Sequence, residues 1–160
     1  IIGCGNVGKD LVEILRPFGC KILVNDIRQY PDFYTTNCIS AVSLSDLMKN
    51  SDVVSIHVPL NETTVGFIDK RMLLTMKPTA ILINTARGGI VDESALKGML
   101  KDELLAGAAF DVFESEPPLD RELLELSNFI ATPHIGGSSE EAVLAMGRAA
   151  IKGLRSNSLP

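Results

Sequence analysis

Ile1-Ile2-Gly3-Cys4-Gly5-Asn6-Val7-Gly8 opens the chain with the tail of an apolar strand, a glycine-rich bend and the approach to a helix. The bend has the form Gly-x-Gly-x-x-Gly, in which each glycine has its own job. Gly3 permits the tight turn, Gly5 lets a pyrophosphate come close to the backbone, and Gly8 lets helix and strand pack closely. The N-terminus of the helix that follows favours negative charge. On its own the pattern is common. Its weight comes from Asp26, 18 residues after Gly8 and at the end of the next apolar run, where a carboxylate can meet the hydroxyls of a ribose. A carboxylate there repels the extra phosphate of NADP, so NAD is the expected cofactor and NADP the lesser one. Arg28, two residues on, reads as a solvated cation, with a softening of that preference as its lesser reading.

Outward from this stretch, short aliphatic runs alternate with helical patterns, which is how a parallel sheet with crossover helices reads. Strands are expected at Ile1-Ile2, Lys21–Asn25, Cys38–Val42, Val53–Val58, Ala80–Asn84, Leu105–Val112 and Phe129–Thr132. Helices are expected at Lys9–Arg16, with Val7, Leu11, Ile14 and Leu15 on its inner face, and at Leu44–Lys49, Asp69–Met76, Asp92–Lys101 and Arg121–Leu126. A long one runs from Ser138 to about Leu154. Ser43 or Ser45 would cap the second of these helices and Ser138 or Ser139 the last. The fold class is therefore α/β, a doubly wound parallel sheet of Rossmann type, in which ligands bind at the carboxyl ends of the strands. The polar residues that interrupt the pattern, Asp26, His57, Arg87, Asp111 and His134, all stand at such ends.

With 160 residues, 46% of them hydrophobic and 22% charged, the chain is one globular domain able to bury a core. No apolar run approaches the roughly 18 residues of a membrane span, and a cytoplasmic protein is expected. The net charge of -5 is spread without a basic stripe, so nucleic acid is not an expected partner. Cys4, Cys20 and Cys38 lack metal-ligand spacing and read as reduced, buried small residues; no metal site is expected. The chain starts inside a strand without an initiator Met and shows no signal peptide. It reads as a fragment whose N-terminus lies upstream.

Three further groups suit chemistry. Arg87 follows a buried strand in Asn84-Thr85-Ala86-Arg87-Gly88-Gly89, placed to hold a carboxylate bidentately. Glu116 precedes Pro117-Pro118 in a rigid loop. His134, in Thr132-Pro133-His134-Ile135-Gly136-Gly137, suits general acid/base work near neutral pH, with a carboxylate to orient it. His57, inside an aliphatic strand, reads as wall or core.

The ordered set of Gly3-x-Gly5-x-x-Gly8 with Asp26, Val58-Pro59-Leu60, Asn84 to Glu93, Phe110-Asp111-Val112-Phe113 with Glu116-Pro117-Pro118, and Pro133-His134-Ile135-Gly136-Gly137 resembles one family. It is the NAD-binding domain of the D-isomer-specific 2-hydroxyacid dehydrogenases. Within that family the resemblance is strongest to the D-3-phosphoglycerate dehydrogenases, which open serine biosynthesis, and to glycerate or hydroxypyruvate reductases. It covers essentially all of residues 1–160. It implies that Arg87 binds the substrate carboxylate, that His134 is the acid/base and that Glu116 is its partner. It further implies backbone contacts from Asn6 and Val7 to the pyrophosphate, Asp26 on the ribose, and Val58 and Pro59 along the adenosine. Thr85, Ala86, Asp111, Gly136 and Gly137 would then lie near the nicotinamide. The family's split substrate domain lies outside this chain, so the fragment alone is expected to be inactive. The implied partners are a small 2-hydroxy or 2-oxo acid and a second copy, a homodimer through the cofactor domain. Two rival readings stand beside the enzyme: an NAD-sensing module like the co-repressors that resemble this family, and another Rossmann enzyme such as a methyltransferase.

Overall fold

Apolar runs separated by helical stretches become the strands of a parallel sheet in the computed structural model, which describes residues 1–156. The strands are β1 (Leu23–Val24), β2 (Ser40–Ala41), β3 (Val53–Ile56), β4 (Ile81–Asn84), β5 (Gly107–Phe110) and β6 (Phe129–Ala131). β1 pairs with β2, and β3 to β6 pair in sequence, every pair parallel. Ile2 bridges Asn25 on one side and Ile56 on the other, so the N-terminal stub joins the two groups of strands. The order across the molecule is thus β2, β1, stub, β3, β4, β5, β6. The chain moves outward from the stub to β2, then returns to the stub's other flank. That reversal is the switch point where such sheets open a crevice, and the Gly3–Gly8 bend leaves the sheet there.

The helices are α1 (Asn6–Leu15), α2 (Pro31–Thr36), α3 (Leu44–Asn50), α4 (Lys70–Leu73), α5 (Glu93–Lys101), α6 (Arg121–Leu124) and α7 (Glu140–Ser156). Two apolar clusters divide the work between the faces of the sheet. Ile1, Cys4, Val12, Val24 and Tyr34 join α1 and α2 to the first strands. The larger cluster joins α3 to α6 through Leu47, Leu73, Leu96 and Leu123 to Val54, Ile56, Leu82, Phe110 and Phe129. Five helices begin with a side chain that accepts a backbone N–H three residues on: Ser43, Asp69, Asp92, Asp120 and Ser139. Ser43 rather than Ser45 is therefore the cap of α3, and Ser139 rather than Ser138 accepts the Ala142 N–H at the start of α7.

Several expectations are corrected. α1 begins at Asn6, three residues earlier than expected, because Gly5 already serves as its N-cap. Its inner face is Gly8, Leu11, Val12 and Leu15, whereas Val7 and Ile14 are exposed. The reason is Gly8: once it presses on the bend, the residues at +3, +4 and +7 must follow it inward. α2 has no counterpart among the expected helices: it is one short turn and a half, lacks a capping side chain and is rich in aromatic and β-branched residues. α4 and α6 are each a single turn, shorter than the runs Asp69–Met76 and Arg121–Leu126. Cys4 is buried and, among the described residues, all three thiols are free, but Cys20 and Cys38 are exposed, contrary to the expectation that they are buried.

Candidate active site

The glycine bend has the geometry its sequence requires. Gly3 has φ +92°, and a Cβ on it would lie 2.6 Å from the His57 carbonyl oxygen and 2.9 Å from Val58 Cγ1. At Gly8 a Cβ would lie 2.1 Å from the Gly3 carbonyl oxygen. Gly5 differs: nothing lies within 4 Å of a Cβ there, so its face is open to a ligand. α1 has no side-chain cap and no acid in its first turn, which leaves its leading N–H groups, at exposed Asn6 and Val7, to an outside anion. Asp26 lies beside the bend, its Oδ2 accepting the Cys4 N–H at 2.6 Å and its Oδ1 the Arg28 N–H at 2.7 Å. Val58 packs on the bend and Pro59 is exposed next to it. These residues make a cradle that fits a dinucleotide: crowded on the protein side, bare on the ligand side, with the Asp26 carboxylate beside it.

The remaining groups sit at the carboxyl ends of β4, β5 and β6, which are neighbours in the sheet. Asn84, the buried last residue of β4, shapes the first loop. Its Nδ2 donates to the Arg87 carbonyl oxygen at 2.9 Å and its Oδ1 accepts the Ala86 N–H at 3.1 Å. Thr85 and Arg87 are left exposed. Arg87 Nη1 donates to the Ala86 carbonyl oxygen, and among the described residues the guanidinium has no carboxylate partner.

Glu116 and His134 come together across 18 residues of sequence, His134 Nδ1 lying 2.7 Å from Glu116 Oε2. Glu116 Oε1 also accepts the Phe113 N–H at 3.1 Å. The hydrogen bond to His134 and then that from Phe113 hold the Glu116 carboxyl below its ordinary range. His134 has φ +53°, the left-handed region, which turns its loop sharply. Asp111, at the end of β5 and 6% exposed, stabilises that turn. Its Oδ1 accepts the Thr132 hydroxyl and the Ile135 N–H at 2.9 Å, and its Oδ2 accepts the Gly136 N–H at 2.8 Å. Burial pushes the Asp111 carboxyl up. The Thr132 hydroxyl, those two N–H groups and the charge of His134 outweigh it, leaving the group below its usual value. A cleft of about 210 Å³ opens among Asp111, Phe113, Glu116, Pro118, Thr132 and His134. A larger hollow of about 490 Å³ lies at the amino ends of β5 and β6 and holds none of these groups.

Gly136 lies against Asp111, while Gly137 is open on all sides and shows no contact that requires glycine. His57 faces Ser55, with Nε2 and Oγ 2.8 Å apart, and burial lowers its pKa, in keeping with a wall residue. Three contributors carried no role in the sequence reading: Asn84, Glu93 and Thr132. Asn84 was detectable as the single polar residue ending an aliphatic run; Glu93 and Thr132 gave no signal, since their partners are more than 20 residues away. Among the described residues there is no group of acids, histidines or cysteines able to hold a metal, and no helix long and apolar enough to cross a membrane.

Residues 1–136 match the sequence profile described as the D-isomer specific 2-hydroxyacid dehydrogenase, NAD binding domain. A glyoxylate reductase of Thermococcus litoralis is 40% identical over 154 residues, 96% of this chain and 46% of the relative. A D-3-phosphoglycerate dehydrogenase of Methanocaldococcus jannaschii is 40% identical over 148 residues, 92% of this chain and 28% of the relative. The crystal structure of D-lactate dehydrogenase from Aquifex aeolicus, complexed with NAD and lactic acid, superposes with a TM-score of 0.87 at 31% identity, covering 97% of this chain and 51% of that one. The chain spans about half the length of the glyoxylate reductase and less of the phosphoglycerate enzyme.

Proposed function

The chain belongs to the D-isomer specific 2-hydroxyacid dehydrogenase family, and from that premise we propose that it is the cofactor-binding half of an enzyme interconverting a 2-oxo acid and a D-2-hydroxy acid. NAD is the cofactor of this domain. Bound along the glycine bend and the strand ends, its reduced nicotinamide supplies a hydride. The chain's own residues do the rest. Backbone N–H groups at Asn6 and Val7 hold the pyrophosphate, Asp26 takes the ribose, and Val58 and Pro59 flank the adenosine. Thr85, Ala86, Asp111, Gly136 and Gly137 border the nicotinamide side.

Arg87, not engaged by any acid among the described residues, grips the substrate carboxylate and fixes which face of the carbonyl is presented. His134 is held at Nδ1 by Glu116, which orients the ring and leaves Nε2 to give a proton to the carbonyl oxygen during reduction and to take it back in oxidation. The observation that carries the proposal is this histidine–carboxylate pair at 2.7 Å beside an uncommitted arginine on the next strand ends.

The chain spans about half the length of its glyoxylate reductase relative, so turnover is measured on the full-length protein. Glyoxylate, hydroxypyruvate, D-glycerate, D-lactate and D-3-phosphoglycerate form the substrate panel, the last of which would put the enzyme at the first step of serine biosynthesis. A cytoplasmic homodimer joined through the cofactor domain completes the reading. The exposed Val143, Leu144, Met146, Ile151 and Leu154 of α7 support it as apolar surface for such a contact.

Assay of the full-length protein against that panel is expected to show NAD-linked turnover of at least one acid. Turnover of none would favour the NAD-sensing module instead. Titration of residues 1–160 is expected to give tighter binding of NADH than of NADPH or S-adenosylmethionine; preference for either of the others would overturn the cofactor assignment. His134→Gln and Arg87→Ala in the full-length protein are each expected to lower kcat/KM by roughly a hundredfold or more, with NADH affinity nearly unchanged.

A further inference from the structure

Glu93 opens α5, yet its carboxylate is not that helix's cap. The cap is already supplied by Asp92, which accepts the Ala95 N–H at 2.8 Å. Glu93 instead reaches across 21 residues of sequence, its Oε1 accepting the Glu114 N–H at 2.7 Å. It is half-buried and, among the described residues, makes no ion pair. Burial raises its pKa, and the acids Glu114, Asp120 and Glu116 nearby act in the same direction against the Glu114 N–H. A carboxylate kept in such a place has a structural reason to be there.

Its location supplies the reason. Before Glu93 in sequence is the arginine loop, where Gly88 is pressed against the β5 loop so tightly that a Cβ would lie 1.9 Å from the Phe113 carbonyl oxygen and 2.5 Å from the Glu114 nitrogen. The same segment leads into the Glu116 loop, in which the Phe113 N–H donates to Glu116 and Glu116 in turn holds His134. The junction between Arg87 and the acid/base pair therefore consists of Gly88 packed on Phe113–Glu114 and a hydrogen bond from Glu114 to Glu93. Asp111 secures the next junction, between β5 and the His134 loop.

Resting on the site assignment above, we propose that Glu93 is a positioning residue that sets the spacing between Arg87 and the Glu116–His134 pair. Its role is one of reach: an acceptor oxygen at the end of a two-methylene arm must meet the Glu114 N–H to seat the β5 loop against Gly88. Removing it leaves that N–H without its acceptor and the loop free to drift from Gly88. Arg87 and His134 then hold the substrate at a mismatched separation, and displacements of about an ångström in such a pair lower rates severely.

The test uses the full-length enzyme with the 2-oxo acid it turns over best. Glu93→Ala is expected to lower kcat/KM at least tenfold while the Kd for NADH changes less than twofold. The pH profile of reduction should change as the Glu116 loop that holds His134 loosens. Glu93→Gln keeps an acceptor oxygen at the same reach and is expected to stay within threefold of wild type with an unmoved pH profile. Glu93→Asp keeps the charge but retracts it by one methylene and is expected to behave like Glu93→Ala; this pair serves even where the alanine variant does not fold. Wild-type kcat/KM and pH profile in both Glu93→Ala and Glu93→Asp would overturn the inference. So would an active Glu93→Asp beside an impaired Glu93→Gln, because charge at the start of α5 would then be what matters. Full turnover by Arg87→Ala and His134→Gln is a different failure, that of the site assignment itself.

Discussion

The three glycines of the opening bend are alike in sequence and different in physics, and single substitutions separate them. A methyl group at Gly8 would sit 2.1 Å from the Gly3 carbonyl oxygen, so α1 would have to lift from the bend. Gly8→Ala is expected to destabilise the domain by about 1–3 kcal/mol, the usual scale of overpacking, with a fall in the melting temperature. Gly5→Ala meets only open space, and its expected outcome is a domain of unchanged melting temperature that has lost NADH affinity, as read by fluorescence titration. Equal destabilisation of the two variants would contradict the assignment of Gly5's open side to the ligand. Asp111 is the other residue with a clear signature. Its folded-state pKa is depressed below the ordinary aspartate value of about 3.9. The stability it adds is therefore complete above the unfolded value and is lost as pH falls through the folded one. Asp111→Asn places an amide N–H against donors from Thr132, Ile135 and Gly136, at a penalty of about 1–3 kcal/mol. The melting-temperature gap between wild type and this variant should be widest near neutral pH and narrow steadily below about pH 4.

Among the elements, legibility followed local energetics. α5 was read almost to the residue because Asp92 caps it and Leu96, Met99 and Leu100 form one buried stripe. β3 and β4 were read for a similar reason: their aliphatic runs pair residue for residue, Val53 with Ile81 through Ile56 with Asn84. α2 was missed since its stability comes from Tyr34 packing on the Cys4–Val12 cluster, a tertiary contribution that weak propensity conceals. α7 is the opposite case, a long amphipathic pattern plainly visible in sequence whose apolar residues find no cover in the described chain. Because it adds little burial to either cluster, deletion of residues 140–160 is expected to leave the melting temperature of the domain within about 2 °C of its original value. A much larger fall would show that α7 packs on the domain in solution.

At the scale of the whole molecule, the reversal of strand order around the N-terminal stub puts the glycine bend, Asp26 and the β4–β6 loops along one end of a single sheet. One face of β3 to β6 is covered by α3 to α6, while Val53, Ile81 and Ile130 on the other are exposed at 51%, 41% and 66%. The sequence alone determined the α/β class, the dinucleotide cradle and the candidacy of Arg87, Glu116 and His134, because strand periodicity, glycine sterics and the placement of polar residues at strand ends are local properties. Only the tertiary structure decided that Glu116 reaches His134 at 2.7 Å, that Arg87 is left unpaired by the described acids, and that Asp111 and Glu93 accept backbone N–H groups from distant loops. Those contacts join residues some 20 positions apart whose nearness depends on parallel strands lying side by side, which no local pattern encodes.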